Sequence, residues 1–176
     1  MKKIFLGAAA AALFFSACTQ NSSSGTSTLV DSTAVKAEAN KKVIMAALEA
    51  MNKHDVDGVF KDCAADFKEQ YNGFMPTQTN IDSIKASLKG YLTAMPDFKC
   101  ENPSVVASGD TVIVLGDWSG TFKNEFMGMK PTNKSFKMAD ADVFIFNKDG
   151  KIISHKSVQG DPTLFAQIGV PIAPKN

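Results

Sequence analysis

The chain contains no arginine. All 19 of its basic side chains are lysines, set against 18 acidic ones, which gives a formal net charge of +1. The guanidinium group is the side chain best suited to bidentate recognition of phosphate and carboxylate, so its absence argues against sites of that kind. The lysines also form no basic stripe interleaved with aromatic rings, which nucleic-acid binding requires. The sequence therefore predicts no nucleic-acid partner.

Histidine and cysteine are scarce as well, with two and three residues respectively. The histidines are His54 and His155, and no His or Cys pair has the spacing of zinc ligands. The sequence contains no Gly-x-Ser-x-Gly nucleophile elbow and no glycine-rich phosphate loop. We therefore predict no metal site and no cofactor.

The chain also has no apolar run long enough at its start to span a bilayer, which needs about 20 residues. Residues 4–15 are apolar, follow a basic start, and are typical of a secretory signal peptide. The Phe-Ser-Ala-Cys sequence at 15–18 resembles the lipobox of bacterial lipoproteins. That resemblance implies that residues 1–17 are removed and that the Cys18 thiol takes a diacylglycerol. An ordinary secretory signal with an incidental cysteine is the alternative.

Lipidation would place the protein in the cell envelope, anchored to the membrane. By the family rule, Thr19 after the lipidated cysteine favours the outer membrane. Residues 18–32 are rich in Ser, Thr, Asn and Gly and are typical of a flexible tether. No repeat or second composition break follows, so we expect one domain at 33–176.

An exported domain meets oxidising conditions, and its two body cysteines are Cys63 and Cys100. A disulfide between them is chemically feasible there. The alternative is two separate thiols that act as small hydrophobes. The sequence leaves both readings open, because it does not give the distance between the two residues.

Helical periodicity dominates the first half of the domain. It predicts a helix over residues 33–53. Asp55 is a good N-cap for a shorter helix that runs through Cys63. Asn80 or Asp82 caps a third helix.

The pattern changes to strands after residue 96. The predicted strands cover 98–107, 111–122, 135–146 and 151–159, after an earlier short strand at 67–71 and before a short helix at 162–168. Helices followed by a meander of strands indicate an α+β fold, with N-terminal helices packed on a curved, mostly antiparallel sheet. Such a sheet leaves a pocket at its open end, which is the default small-molecule site.

The strand at 135–146 places two carboxylates on an otherwise bulky, apolar face. The Asn-Lys-Asp-Gly sequence at 147–150 is a strong hairpin signal. If those four residues form the loop, Asp142 lies opposite His155 and Asp140 lies opposite Ser157. Directly opposed side chains lie about 5 Å apart at Cβ.

An Asp–His pair in an apolar pocket is a candidate acid–base unit, since the carboxylate raises the imidazole pKa while burial lowers it. The alternative is an ion pair with no catalytic role. The same face and its neighbours supply candidate cavity-lining residues: Tyr71, Tyr91, Trp118, Phe136, Met138 and Phe144. For these, packing in the core is the alternative interpretation.

Six segments in the second half carry a family resemblance: Met-Pro-Asp-Phe at 95–98, Val-Val-Ala-Ser-Gly-Asp at 105–110, Glu-Phe-Met-Gly-Met-Lys-Pro-Thr-Asn-Lys at 125–134, Asp-Val-Phe at 142–144, Asp-Gly-Lys-Ile at 149–152 with His155, and Gln-Ile-Gly-Val at 167–170. They resemble the SnoaL-like polyketide cyclase branch of the nuclear-transport-factor-2-like superfamily. The resemblance implies a cone-shaped α+β barrel with a deep apolar cavity. It also implies relatives that are cyclases, isomerases or binding domains.

Several polar positions of catalytic relatives are apolar here, including Phe122 after Gly-Thr and Ile145 where relatives often have Arg. These departures favour an anchored domain that binds a small, mostly apolar molecule. A cofactor-independent cyclase or isomerase using Asp142 and His155 is the first alternative. A protein-interaction module is the second, because the superfamily often forms homodimers through the open face of its sheet.

Overall fold

The computed structural model describes residues 32–70 and 76–171. Within them it has four helices: α1 (Ser32–Asn52), α2 (Val56–Phe60), α3 (Ile81–Ala94) and α4 (Gly160–Ile168). The same ranges contain five strands: β1 (Cys63–Gln70), β2 (Lys99–Ser108), β3 (Thr111–Thr121), β4 (Ser135–Phe146) and β5 (Ile152–Ser157). The predicted signal peptide, Cys18, the predicted tether up to residue 31 and Tyr71 lie outside the described residues, and Ser32, the last predicted tether residue, begins α1. No helix within those two ranges has the length and apolar character needed to cross a bilayer.

The five strands form one sheet in the order β1-β5-β4-β3-β2. Strands β2 to β5 make an antiparallel meander, and β1 pairs in parallel with β5. The predicted α+β architecture, with N-terminal helices on a mostly antiparallel sheet, is confirmed. The parallel pair brings the first strand of the chain beside the last one, which no local sequence pattern indicates.

Side-chain caps set the starts of two helices. The Asp55 side chain accepts a hydrogen bond from the Gly58 amide at 3.0 Å. The Asn80 side chain accepts one from the Ser83 amide at 2.9 Å, so Asn80 and not Asp82 is the cap of α3. Helix α2 ends at Phe60, earlier than predicted, because Cys63 already belongs to β1.

The core lies between the helices and the inner face of the sheet. Strand β4 alternates as predicted, with Phe136 and Phe146 buried on the inner face. Asp140 and Asp142 are buried on that face as well. Apolar residues from the helices pack against it: Ile44, Leu48, Ile84, Leu92, Leu164 and Ile168.

The β4–β5 hairpin differs from its predicted register. Phe144 and not Asp142 pairs with His155, and Asp142 pairs with Ser157. The loop holds one more residue than predicted, since Asn147 N bonds to Lys151 O at 2.9 Å and Phe146 pairs with Ile152. A β-bulge at Ile153 adds a second one-residue shift. A shift of two residues restores the original face, so His155 still points inward.

The two cysteines are free thiols, so the structure shows the second of the two readings. Cys63 begins β1 and Cys100 lies in β2, which are the opposite edge strands of the sheet. Three strands separate them, and a disulfide needs Cα atoms within about 7 Å of each other. The predicted alternative of a Cys63–Cys100 bridge is therefore wrong for this fold.

Candidate functional site

A cavity of about 270 Å³ lies between the helices and the inner face of the sheet. Well-packed interiors contain few voids larger than a water molecule, so a cavity of this size is not an ordinary packing defect. Its walls are mostly apolar and carry eight aromatic rings: Phe60, Phe67, Tyr91, Phe98, Trp118, Phe126, Phe144 and Phe165. The polar side chains are few, and three of them belong to one cluster.

That cluster is centred on His155, which lies between two carboxylates. His155 Nδ1 is 2.7 Å from Glu69 Oε1, and its Nε2 is 3.1 Å from Asp142 Oδ1. The imidazole stacks on Phe144, with ring centroids 4.7 Å apart and planes inclined by 24°. We call Glu69, His155 and Asp142 the acid–imidazole–acid triad. All three side chains line the cavity.

Three strands position the triad. Glu69 is the parallel partner of His155 across β1 and β5. Phe144 is its antiparallel partner across β4 and β5. Asp142 lies two residues before Phe144 on the same inward face of β4, so its side chain reaches His155 diagonally. Diagonal neighbours on one face of a sheet lie within reach of side chains. The predicted contact between Asp142 and His155 is thus present, although they are not the directly opposed pair.

Burial alone would lower the pKa of His155, because it disfavours the charged imidazolium. The charge of Glu69 and the hydrogen bonds that both carboxylates accept from His155 outweigh burial and raise this pKa well above its ordinary value. The raised pKa favours the imidazolium form of His155, which donates one N–H to each carboxylate. A general base in this site must be a carboxylate, because the imidazolium has no free lone pair.

Asp140 has a different environment from Asp142. Its carboxylate accepts from the Ser157 hydroxyl at 2.5 Å and from the amides of Gln159 and Ala141 at 2.8 and 2.7 Å. These contacts connect β4 to the end of β5. Asp140 lines the cavity, but its hydrogen bonds are those of a group that holds the strand ends in place.

The predicted lining residues divide into two groups. Tyr91, Trp118, Met138 and Phe144 line the cavity. Phe136 does not and is buried in the core instead, so that prediction is wrong. The Phe136 ring packs over Gly120, its partner on β3, where an added Cβ would lie 3.1 Å from Phe136 Cε1. Because Gly120 has no side chain, there is room for this ring in the core.

Trp118 and Cys63 contribute little polar character to the cavity. Trp118 stacks on Phe98 with centroids 5.4 Å apart. Its buried Nε1 has no hydrogen-bond partner in the parts of the chain that the structure describes. Burial, followed by the charge of Glu69, raises the pKa of the Cys63 thiol to about 12. Only the thiolate is a nucleophile, so Cys63 is an unreactive part of the wall.

Sequence reasoning missed Glu69. The signal was the alternation of Phe67 and Glu69 in the short strand predicted at 67–71, which puts a carboxylate on an apolar face. What the sequence did not give was the parallel pairing of β1 with β5 that brings Glu69 to His155. Across residues 32–70 and 76–171, no group of acidic, histidine and cysteine side chains has an arrangement that could hold a metal ion.

Comparison with known proteins places this site in a family context. A sequence profile of the SnoaL-like polyketide cyclase family matches residues 41–168. No curated protein sequence matches the chain. The chain is similar to AclR of Streptomyces galilaeus, a candidate hydroxylase, at 26% identity over 77% of this chain and 99% of AclR, with a TM-score of 0.64.

Two further solved structures share the fold. A candidate polyketide cyclase from Xanthomonas campestris has a TM-score of 0.68 and 17% identity, over 76% of this chain and 98% of that protein. IdmH, a candidate polyketide cyclase from Streptomyces antibioticus, has a TM-score of 0.60 and 23% identity, over 74% of this chain and 99% of IdmH. Each relative is covered almost completely, so the similarity extends over the entire fold of these proteins.

Proposed function

We propose, because this chain belongs to the SnoaL-like polyketide cyclase family, that its cavity binds a small, mostly apolar molecule. The observation that carries the proposal is the cavity of about 270 Å³ with aromatic and aliphatic walls. Ligand pockets usually measure roughly 300 to 1,000 Å³, so this volume favours a small ligand. Its polar groups are concentrated at the triad, which would orient one end of the molecule.

Mass spectrometry of molecules that co-purify with the full chain tests this proposal. Ala47 lines the cavity from α1, whereas Ala46 on the same helix is exposed. Ala47→Phe should fill part of the space and reduce the bound molecule by about tenfold or more, while Ala46→Phe should retain it. Equal recovery of a compound from both variants would place that compound outside the cavity.

We also propose that the full chain is anchored to the cell envelope through a lipid on Cys18. The support is the short apolar segment and the small residues before Cys18. Cells grown with labelled palmitate should yield labelled wild-type protein in the outer-membrane fraction. Cys18→Ser should lose the label, and Cys63→Ser should keep it. A Cys18→Ser protein that is processed and located like the wild type would indicate an ordinary secretory signal instead.

A second candidate function is cofactor-independent acid–base chemistry. The observation that favours it is the contact between Asp142 and His155 in the wall of the cavity. In this reading a carboxylate, Asp142 or Glu69, takes a proton from the carbon next to a carbonyl, since His155 is already protonated. A hydroxyl such as that of Tyr91 would have to stabilise the resulting enolate.

This second function predicts a loss of activity in two variants. General acid–base groups contribute about 10²- to 10⁴-fold to rate, so Asp142→Asn and His155→Ala should each slow ring closure or isomerisation of ketone substrates by about that factor. Asp66→Asn is the matched control, because Asp66 is exposed on β1 and does not line the cavity. If neither triad variant differs from the control, acid–base catalysis is ruled out and ligand binding remains.

A further inference from the structure

We propose that the ligand of this cavity is an apolar organic cation, an ammonium compound whose hydrocarbon part fills the aromatic chamber and whose charge lies at the triad. The inference rests on the proposed binding function and adds the charge of the ligand to it. Three sets of observations carry it: the charges in the wall, the hydrogen bonds of the triad, and the aromatic rings around it.

The charges in the cavity wall are unbalanced. Glu69, Asp140 and Asp142 each bring a carboxyl group, and among the described residues that line the cavity His155 is the one basic side chain. No lysine reaches the lining in the described ranges, although lysines are common on the surface. Glu69 and Asp142 share the single imidazole of His155, and an excess of buried negative charge in apolar surroundings is unfavourable. A cationic ligand would neutralise the excess.

The hydrogen bonds of the triad leave acceptors available to a ligand and few donors. His155 uses both ring nitrogens, one on Glu69 and one on Asp142. It contacts one oxygen of each carboxylate, Oε1 and Oδ1, and each carboxylate has a second oxygen that can accept. The Ser157 hydroxyl already donates its hydrogen bond to Asp140. The carboxylate oxygens would repel an anionic or carbonyl-rich end of a ligand. They would accept hydrogen bonds from an ammonium N–H.

The triad also lies in aromatic surroundings. Its side chains line the cavity and keep a small exposed fraction, 22% for His155, 11% for Glu69 and 9% for Asp142. Phe144 stacks on His155, and Phe67 lies two residues from Glu69 on the same face of β1. Rings of this kind attract cations through their quadrupole, and aromatic cages recognise quaternary ammonium groups in this way. Carboxylates and rings together select for a positive charge with apolar substituents.

A matched ligand series tests the charge of the ligand. The probes are 3-phenylpropylammonium, 3-phenylpropan-1-ol and 3-phenylpropionate, which share one ring and chain and differ in charge at one end. Trp118 is the only tryptophan of the chain and lines the cavity, so its fluorescence reports binding. The titrations use the full chain in phosphatidylcholine nanodiscs. The Ala47→Phe variant, whose cavity is partly filled, gives the fluorescence change that results from partitioning of each probe into the lipid. We expect the ammonium to bind about tenfold more tightly than the alcohol, and the carboxylate to bind most weakly.

Charge-removing variants locate the selectivity. Glu69→Gln and Asp142→Asn should reduce the preference for the ammonium over the alcohol, and Asp66→Asn should leave it unchanged. The inference is overturned if the alcohol or the carboxylate binds at least as tightly as the ammonium to the wild-type protein, which needs no variant to fold. In that case binding of a small apolar molecule still stands. If none of the three probes binds at millimolar concentration, both the inference and the proposed binding function fail.

Discussion

At the scale of single residues, the site depends on His155 and its two acidic neighbours. An imidazolium that donates a hydrogen bond to a carboxylate on each side links β1, β5 and β4. It has no free lone pair with which to act as a base. Its position explains how Glu69 and Asp142 can both lie in an apolar wall, because each receives a charge-assisted hydrogen bond. Asp142 was predictable from the hairpin. Glu69 was not, because its partner lies 86 residues away in sequence.

The raised pKa of His155 predicts how the fold responds to pH. An unfolded histidine titrates at about pH 6.5, whereas the pKa of folded His155 lies well above that. Protonation of His155 therefore stabilises the folded state. This contribution is fully present below about pH 6.5 and is lost as the pH rises through the folded pKa.

Nuclear magnetic resonance of the histidine side chains measures this directly. The chain has two histidines, and the signals that disappear in His155→Gln identify the residue. Its ring nitrogens should keep the chemical shifts of an imidazolium at pH values where a free histidine is neutral. Titration at or below the ordinary histidine pKa would contradict the triad as described.

Glu69→Gln should destabilise the protein by about 1–3 kcal/mol, because it removes one of the two carboxylate charges that His155 faces and leaves Asp142 alone to neutralise the buried imidazolium. Asp66→Asn on the same strand is exposed and should change stability by less than about 0.5 kcal/mol. Urea unfolding of both variants gives the two values. Equal stability of Glu69→Gln and Asp66→Asn would mean that the Glu69–His155 contact contributes nothing to the fold.

At the scale of elements, the β4–β5 hairpin shows what a turn motif can and cannot specify. The Asn-Lys-Asp-Gly sequence correctly predicted a reversal at that point. It did not reveal that Asn147 Oδ1 also accepts from the Lys151 amide, which lengthens the loop. Nor did it reveal the bulge at Ile153, which depends on pairing with β1 as well as β4. The longer loop and the bulge each shift the register by one residue. The inward orientation of His155 was therefore predicted correctly, although its directly opposed partner was not.

Gly150 offers a test of this turn. Its φ is +73°, and an added Cβ would meet no atom within 4 Å, so a substitution acts through the backbone alone. Gly150→Ala should destabilise the protein by about 1 kcal/mol, because a left-handed conformation costs about that much in a residue with a Cβ. Lys148→Ala, at an exposed position of the same turn, is the control. A shift in the denaturation midpoint of Lys148→Ala as large as that of Gly150→Ala would count against backbone strain as the cause.

At the scale of the whole molecule, the fold was predictable because its signals are local. Helical and strand periodicities gave nearly every element, including the bounds of β4 at 135–146. The position of β1 was not predictable, since parallel pairing is a long-range property. The outer face of the sheet, in contrast, carries apolar residues in a regular pattern: Val106, Ile113 and Leu115 are exposed there by 64%, 42% and 52%.

These three residues form the basis for predicting a homodimer. Val106 pairs with Ile113 across β2 and β3, so they make a contiguous apolar patch with Leu115. Burying such a patch against a second copy would remove it from water. Light scattering coupled to size-exclusion chromatography should give the mass of a dimer, and Leu115→Lys should give a monomer. Val35→Lys, at an exposed apolar position on α1, should remain dimeric. A wild-type monomer at high micromolar concentration would contradict the prediction.

The pairing of β1 with β5 has a consequence for biogenesis. Ribosomes release a polypeptide from its N-terminus, so the edge that carries Phe67 and Glu69 emerges long before the hairpin that carries His155. Closing so long a loop is slow and entropically costly. The cavity is therefore completed last, after the final strand has been synthesised. A product truncated ahead of residue 152 would expose an open apolar surface that contains an unneutralised acid, which is the kind of surface that chaperones and proteases recognise.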